Sequence, residues 1–393
     1  MISVAQALDH LRPLITPTDA EVVPIQEAHG RVLIAPLAAL RTQPPFPASA
    51  MDGYAVAASD AVPGRSLRVI GEAAAGHGFP GEVTEGEAIR IFTGAPVPTG
   101  ATHVIIQEDV TRTGDRITVG DTLGAGDNIR PAGTDFHQGE LLNTRGPLGP
   151  ADVALLASMG HGSIAVHRKP VVALIPTGDE LVPPGTLPGP DQIISSNTYG
   201  LAAQITRAGG IPRILPIARD RMPELLAAIS LAEEADLIVT LGGASVGDHD
   251  LVKDVPGLDL AFYKIAMRPG KPLMAGRFGQ VPMIGLPGNP VSAMVCGEIF
   301  LTPALAGFFD LPIRERPRST ARLAQDIAAN GPREHYMRAI VTDTPDGAQV
   351  EVLPRQDSSL LTVLAHANAL AVRPIGDPCR RAGEIVKVLR LSP

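Results

Sequence analysis

Tryptophan is absent from this chain, and aromatic residues make up only 3% of it. Its cores must therefore be built from Val, Ile, Leu and Ala. Cysteine is almost absent too. Cys296 and Cys379 stand far apart in sequence and neither has a CxxC partner. That pattern excludes a disulfide framework and a zinc signature, and it points to a reducing, cytoplasmic setting. Positive charge is in deficit, with 33 Lys+Arg against 41 Asp+Glu and a net charge of -8. A phosphate backbone needs broad basic surfaces, so a general nucleic-acid binder is excluded, while a local basic pocket is not. The start, "MISVAQALDHLRPLI", lacks the basic opening and long apolar run of a signal peptide. The most apolar window, 291–309, is broken by Glu298 and Pro303, which predicts a buried helix rather than a membrane span.

What is present is a 393-residue chain, 45% apolar and 19% charged, with Gly 41 and Pro 38. The length implies two to four domains. In the N-terminal segment Val4, Leu8, Leu11 and Ile15 recur at helical spacing. Short β-type runs follow, "RVLIAPL", "SLRVIGEAAAG", "EAIRIFTG", "THVIIQEDV" and "DRITVG", punctuated by Gly and Pro. "GPADVALLASMG" reads as a helix, with Pro150 at its start and Gly160 past its end. From Lys169 to about Phe309, continuous apolar strands alternate with helices, which predicts a mostly parallel sheet covered on both faces. After Arg314 the β pattern returns, with a "PDG" turn between two runs. The expected boundaries are 1–22 with 141–168 (helical and linker), 23–140 (β-rich), 169–313 (α/β) and 314–393 (small β domain).

In an open parallel sheet, ligands collect at the carboxyl ends of the strands. Three strands here end in unusual loops. "VVALIPTGDE" ends in Asp179-Glu180, "DLIVTLGGASVGDHD" in glycines and then Asp248, His249 and Asp250, and "VPMIGLPGNPVS" in Pro287-Gly288 before a helix. Gly242 and Gly243 allow close backbone approach to a phosphate, and Asp248 or Asp250 offers oxygen ligands to Mg²⁺. Neither a Walker A loop nor GxGxxG is spelled out, and His249 is given no role. Asn289 can cap the last helix, with Pro290 at its first position and Ser292 after it, leaving free N–H groups for an anion. Taken alone, that loop reads first as an ordinary capped helix start.

A fourth stretch is chemically odd. "YKIAMRPGKP" holds Lys264, Arg268 and Lys271, and no Asp or Glu occurs between Leu260 and Gly297. Three cations without acidic partners suit a bound oxyanion, although a charge run alone is most often a solvated loop. No Ser/His/Asp or Cys/His nucleophile arrangement is evident. The set fits phosphate-ester or anhydride chemistry assisted by Mg²⁺. In the β-rich part, Asp52 sits in "FPASAMDGYAV", Thr93-Gly94 in "IFTGAPVPTGA", and Arg130 and Asp135 in "GDNIRPAGTDF".

Together "SAMDGYAV", "RIFTGAPVP", "NIRPAGTDF", "PTGDEL", "GGASVGDHD", "KIAMRPGKP" and "GLPGNPVS" resemble, in order and over essentially the whole chain, the molybdopterin molybdenumtransferase family. That family comprises bacterial MoeA and the E domain of gephyrin and its plant counterpart. The resemblance implies a three-layer α/β domain of the molybdenum-cofactor-biosynthesis type, a β-rich N-terminal insertion and a small C-terminal β-barrel-like domain. It implies insertion of molybdate into adenylylated molybdopterin with release of AMP, assisted by Mg²⁺ or a similar divalent ion. It also implies a homodimer whose active site lies at the subunit interface, with other molybdenum-cofactor biosynthesis proteins as further partners and neither nucleic acid nor membrane among them. By motif, Asp52, Asp135, Glu180 and Asp250 would be catalytic, and Asp250, Asp220 and Glu180 would hold metal. Thr93, Gly94, Gly242, Gly243, Ser245, Lys264, Arg268, Lys271, Pro287, Pro290 and Ser292 would bind substrate. The sequence departs from the family pattern at Arg268, where Lys is usual, at Thr134, where Glu is common before Asp135, and in "TLGGASVG".

Two other readings compete. One is a molybdopterin adenylyltransferase-like nucleotide enzyme, which the flanking Asp52 and Asp135 motifs oppose. The other is a non-catalytic scaffold of the same fold, which the retained charged motifs oppose.

Overall fold

The computed structural model describes residues 1–144, 146–243 and 251–391. The chain packs as two compact units, one formed by Met1–Glu21 with His167–Pro393 and the other by Val22–Val166.

The first unit opens with helix α1 (Val4–Leu11). Ser3 caps it reciprocally with Gln6, each side chain bonding the other's backbone N–H (3.2 and 2.9 Å). Val4, Ala7, Leu8 and Leu11 face the core.

The second unit holds a six-stranded sheet: β1 (Gly53–Val56), β2 (Ser66–Ala73), β3 (Glu87–Ile91), β4 (His103–Ile106), β5 (Val110–Thr113) and β6 (Arg116–Val119). Its order is β4-β1-β3-β2-β6-β5, antiparallel except for β2 beside β3. Helix α2 (Pro150–Ser158) follows, with Pro150 in its first turn and Gly160 just beyond at φ +102°. "RVLIAPL" yields only the two-residue strand Leu37–Ala38.

The α/β part of the first unit places β7 (Val171–Pro176), α3 (Asn197–Arg207), β8 (Ile211–Ile214), α4 (Met222–Ser230), β9 (Leu237–Leu241), β10 (Leu258–Tyr263), β11 (Met274–Phe278) and β12 (Val281–Leu286). The sheet order is β8-β7-β9-β12-β11-β10. The first four strands are parallel, and β11 runs against both of its neighbours. Alternate residues of β7 face opposite ways, as the pleat requires. Val172 and Leu174 pack with α1 and α3, whereas Ala173 and Ile175 pack with α4. The result is three layers.

After β12 comes one long helix: α5 (Pro290–Cys296), a π-helical segment Gly297–Leu301, and α6 (Thr302–Gly307). By length and composition the window Pro290–Gly307 could cross a membrane, and 72% of it is buried inside the fold.

The C-terminal part closes a barrel from β13 (Ser319–Leu323), β14 (Glu334–Thr344), β15 (Gly347–Val352), β16 (Ala369–Arg373) and β17 (Ile385–Arg390), with α7 (Leu361–His366) between β15 and β16. The order β14-β15-β13-β17-β16 is closed by pairing of β16 back onto β14. The two-residue strand Met267–Arg268 adds to β14 in parallel, Arg268 opposite His335.

Candidate functional site

In the α/β sheet the chain steps from β7 to β8 on one side and then returns to β9 on the other. The crevice between β7 and β9 at their carboxyl ends is therefore a topological switch point. A cavity of about 520 Å³ opens there. Its lining comes from the loops after β7, β8, β9 and β12: Glu180, Asp220, Gly242, Gly243, Pro287 and Pro290. Six of the residues singled out from sequence thus line one cavity. Gly242 and Gly243 are at φ +99° and +62°. An added Cβ would lie 2.7 Å from the Thr177 carbonyl oxygen at the first and 2.7 Å from Val252 at the second, so only glycine fits.

Glu180 and Asp220 are exposed. Among the described residues no hydrogen bond or ion pair engages either carboxylate. Hard oxygen donors left unpaired in a shared cavity suit Mg²⁺. They number two, and among the described residues no cluster of three or more His, Cys, Asp or Glu could hold a metal. Ser245 and Asp250, together with Asp248 and His249, lie outside the described residues.

The helix after Pro287 departs from expectation. Asn289 makes no side-chain cap. The Val291 N–H donates instead to the Ser358 carbonyl (2.9 Å), a group from the C-terminal part. Ser292 is 4% exposed and lies outside the cavity lining.

The cation stretch connects β10 to β11. Because β11 runs antiparallel to β12, this connection lies at the same sheet edge as the cavity. Pro272 reaches the lining, whereas Lys264, Arg268 and Lys271 do not. The Lys264 Nζ stacks 4.5 Å from the Tyr263 ring centroid, and its backbone holds φ +69°. Arg268 is exposed, and Lys271 is half-buried with its carbonyl accepting from the Ile265 N–H (3.1 Å). Among the described residues no carboxylate pairs with any of the three.

A fourth cation was not foreseen. Arg338, on β14, is 0% exposed. Its Nη2 donates to the Asp357 carbonyl (3.1 Å), while Nε and Nη1 find no partner among the described residues. Burial pulls its pKa down to about 10, and Arg268 adds to the pull while Asp357 opposes it. Two residues on, Ser359 lines the cavity. Nothing in the local pattern "EHYMRAIV" separates Arg338 from a surface residue of an alternating strand. Its position follows from the docking of 357–359 onto the α5 start. His335, opposite Arg268, is pulled down to about 4, first by burial and then by Arg268, Arg338, Arg333 and Arg373, so it is neutral at ordinary pH.

The β-rich unit carries its own cluster. Ser49 pairs with Ile129 and Ala48 with Arg130, and the Gly94 N–H donates to the Ser49 carbonyl (2.9 Å). Those ties seat Asp52 beside Thr93. The Asp52 Oδ1 accepts from the Thr93 N–H and the Thr93 Oγ1, each at 2.8 Å. The backbone bond, then the hydroxyl bond and Arg90, hold its pKa below the ordinary carboxylate range against a smaller effect of burial. Arg90 lies over Tyr54 and Phe92, 5.2 and 4.6 Å from the ring centroids. Gly94, at φ +83°, makes the turn. Asp135 is exposed and outside this network, its N–H bonded to the Gln43 carbonyl (3.0 Å).

A switch-point cavity with unpaired carboxylates, glycine turns and nearby cations defines an α/β protein whose site suits phosphate-bearing ligands. Three family models match in series: "MoeA N-terminal region (domain I and II)" over residues 2–160, "Probable molybdopterin binding domain" over 173–307, and "MoeA C-terminal region (domain IV)" over 320–391. The molybdopterin molybdenumtransferase of Nostoc sp. is 34% identical over 393 residues, which covers 95% of this chain and 89% of that protein. Molybdopterin molybdenumtransferase 2 of Mycobacterium tuberculosis is 35% identical over 382 residues, 93% of this chain and 92% of the relative. The crystal structure of the molybdopterin biosynthesis MoeA protein from Pyrococcus horikoshii superposes with a TM-score of 0.84 at 29% identity, covering 100% of both chains. The chain belongs to the MoeA family.

Proposed function

We propose that this protein is a molybdopterin molybdenumtransferase of molybdenum cofactor biosynthesis. In this reading it takes adenylylated molybdopterin and molybdate, places molybdenum on the dithiolene sulfurs, and releases AMP by cleavage of the phosphoanhydride. It works in the cytoplasm as a homodimer. The observation that carries the reading is the 520 Å³ cavity. It brings two unpaired carboxylates, Glu180 and Asp220, to a switch point edged by glycine loops.

Glu180, Asp220 and Asp250 are the residues that would hold Mg²⁺. When bound, the ion neutralises charge on the phosphoanhydride as it is cleaved. Gly242 and Gly243, with Ser245, let the backbone approach the phosphates, and Pro287 and Pro290 shape the facing wall. Arg268, Lys264 and Lys271 supply cationic donors for phosphate and molybdate oxygens, and the fully buried Arg338 adds positive charge near Arg268. A fork of N–H donors grips a tetrahedral oxyanion better than a point charge. Asp52, fixed in its ionised form by Thr93, and Asp135 complete the site. In this reading they are contributed by the second copy of the homodimer.

The test is incubation with adenylylated molybdopterin, molybdate and Mg²⁺, following AMP release and molybdenum incorporation. We expect both to depend on the divalent ion. Absence of AMP release with Mg²⁺ and every other divalent ion tried would overturn the reading.

A further inference from the structure

Four acids crowd the two loops that follow β7 and β8 and the first turn of α4: Asp179, Glu180, Asp220 and Glu224. Crowded carboxylates repel, and the usual remedy is to pair each with a base. Such pairing would remove them from any role with a cation. Among the described residues only Glu224 is paired in that way, with Arg221 (3.4 Å), and the other three acids are accommodated differently. The Arg219 Nη1 donates to three backbone carbonyls of the Glu180 loop, those of Gly178 (3.3 Å), Asp179 (2.7 Å) and Leu181 (3.2 Å). No carboxylate is bonded to its guanidinium among the described residues. A positive charge therefore sits among the acids while Glu180 and Asp220 stay free.

The other contacts between the loops point the same way. Thr177 bridges Ala218 in parallel, and the Gly178 N–H donates to the Ala218 carbonyl (3.1 Å). The Asp220 N–H donates to the Asp179 Oδ1 (3.2 Å), and the Arg219 N–H to the Glu224 Oε2 at the start of α4 (3.3 Å). On its far side the Glu180 carbonyl accepts from the Ile193 N–H (2.8 Å). Glu180 is thus set by backbone on both sides, with Arg219 at the centre.

We infer that Arg219 is the positioning residue of this site: it fixes the Glu180 loop by its backbone and stabilises two unpaired carboxylates without pairing them. This rests on the proposed transferase reading for what the carboxylates do, but the loop geometry does not depend on it.

One nitrogen makes all three contacts, which gives the inference an unusual signature. A lysine ammonium carries three donors, so Arg219→Lys should keep much of the function and Arg219→Ala should lose it. Hydrogen exchange reads the loop directly. In Arg219→Ala the Leu181 and Ile193 amides should exchange at least tenfold faster, with β9 and β12 unchanged, and Arg219→Lys should stay within a fewfold of the parent. AMP release should follow the same order. In Arg219→Ala the Mg²⁺ concentration for half-maximal rate should rise about tenfold or more, with KM for adenylylated molybdopterin moving less. Unchanged exchange in Arg219→Ala would overturn the inference, as would equal loss in the Ala and Lys variants. Faster exchange with an unchanged Mg²⁺ response would overturn the functional half. Glu180→Gln assayed in parallel keeps the two readings apart. If it retains full AMP release, the role given to Glu180 fails while the exchange result for Arg219 stands on its own.

Discussion

Gly270 shows how much of the cation stretch is fixed by a single atom that is missing. It stands at φ +110°, and a Cβ there would fall 2.4 Å from the Sγ of Cys296 and 3.3 Å from Met267. Cys296 is fully buried on α5, so it cannot swing aside. The Pro269-Gly270 turn is therefore pressed onto the helix that follows the Pro287 loop, and the loop carrying Arg268 and Lys271 inherits its shape from that contact. Gly270→Ala meets two penalties, the left-handed backbone and the overlap with sulfur, each about 1–3 kcal/mol. We expect a fall in the thermal midpoint together with weaker molybdate dependence of AMP release. An unchanged midpoint would mean that the turn can move off the helix. The sequence marks Pro-Gly as a turn. It does not say that the turn abuts a cysteine 26 positions later, because that is a tertiary approach between two segments.

The long helix from Pro290 to Gly307 is the element whose character was most legible in advance. Its apolar run is interrupted by Glu298, and that interruption is what argues for a buried helix. Glu298 is 4% exposed, at the π-helical segment. It accepts from Gln204 Nε2 (3.0 Å) and from Arg207 and Arg316. The carboxylate is tolerated because α3 and the segment after α6 bring donors to it. Glu298→Ala would remove the acceptor those donors share. The two arginines are 34% and 20% exposed and can partly rehydrate. The loss should therefore be about 3 kcal/mol, near the low end for breaking a buried pair, measured by urea unfolding at neutral pH. A loss under ~1 kcal/mol would place the group among surface ion pairs. Less legible were β10 and β11, the antiparallel end of the sheet. β10 is broken by a register shift between Leu260 and Phe262, so its alternation is interrupted, and the three cations beyond it read more strongly than the strands. Arg338 and Ser359 were hidden for a related reason. Ser359 reaches the cavity, and Arg338 bonds the Asp357 carbonyl behind it, only because the C-terminal part docks its 357–359 segment on α5, which no local pattern encodes.

At the scale of the molecule, the sequence motifs fall on two units with unlike folds. Asp52 and Thr93 are bonded to each other within Val22–Val166, whereas Glu180 and Asp220 share a cavity within the unit that contains the α/β sheet. If two copies exchange these halves across a twofold axis, each complete site draws on both chains. That arrangement makes a prediction that no single-chain site shares. Asp52→Asn and Glu180→Gln should each abolish AMP release alone. Mixed after mild dissociation and reassociation, they should recover about a quarter of the parental activity. Random pairing makes half the dimers mixed, and each mixed dimer carries one site with both defects and one with neither. The quarter is an upper value, reached only if the two intact contributions need no help from the neighbouring site. A mixture that stays inactive, although mass measurement shows mixed dimers, would mean that each chain completes its own site.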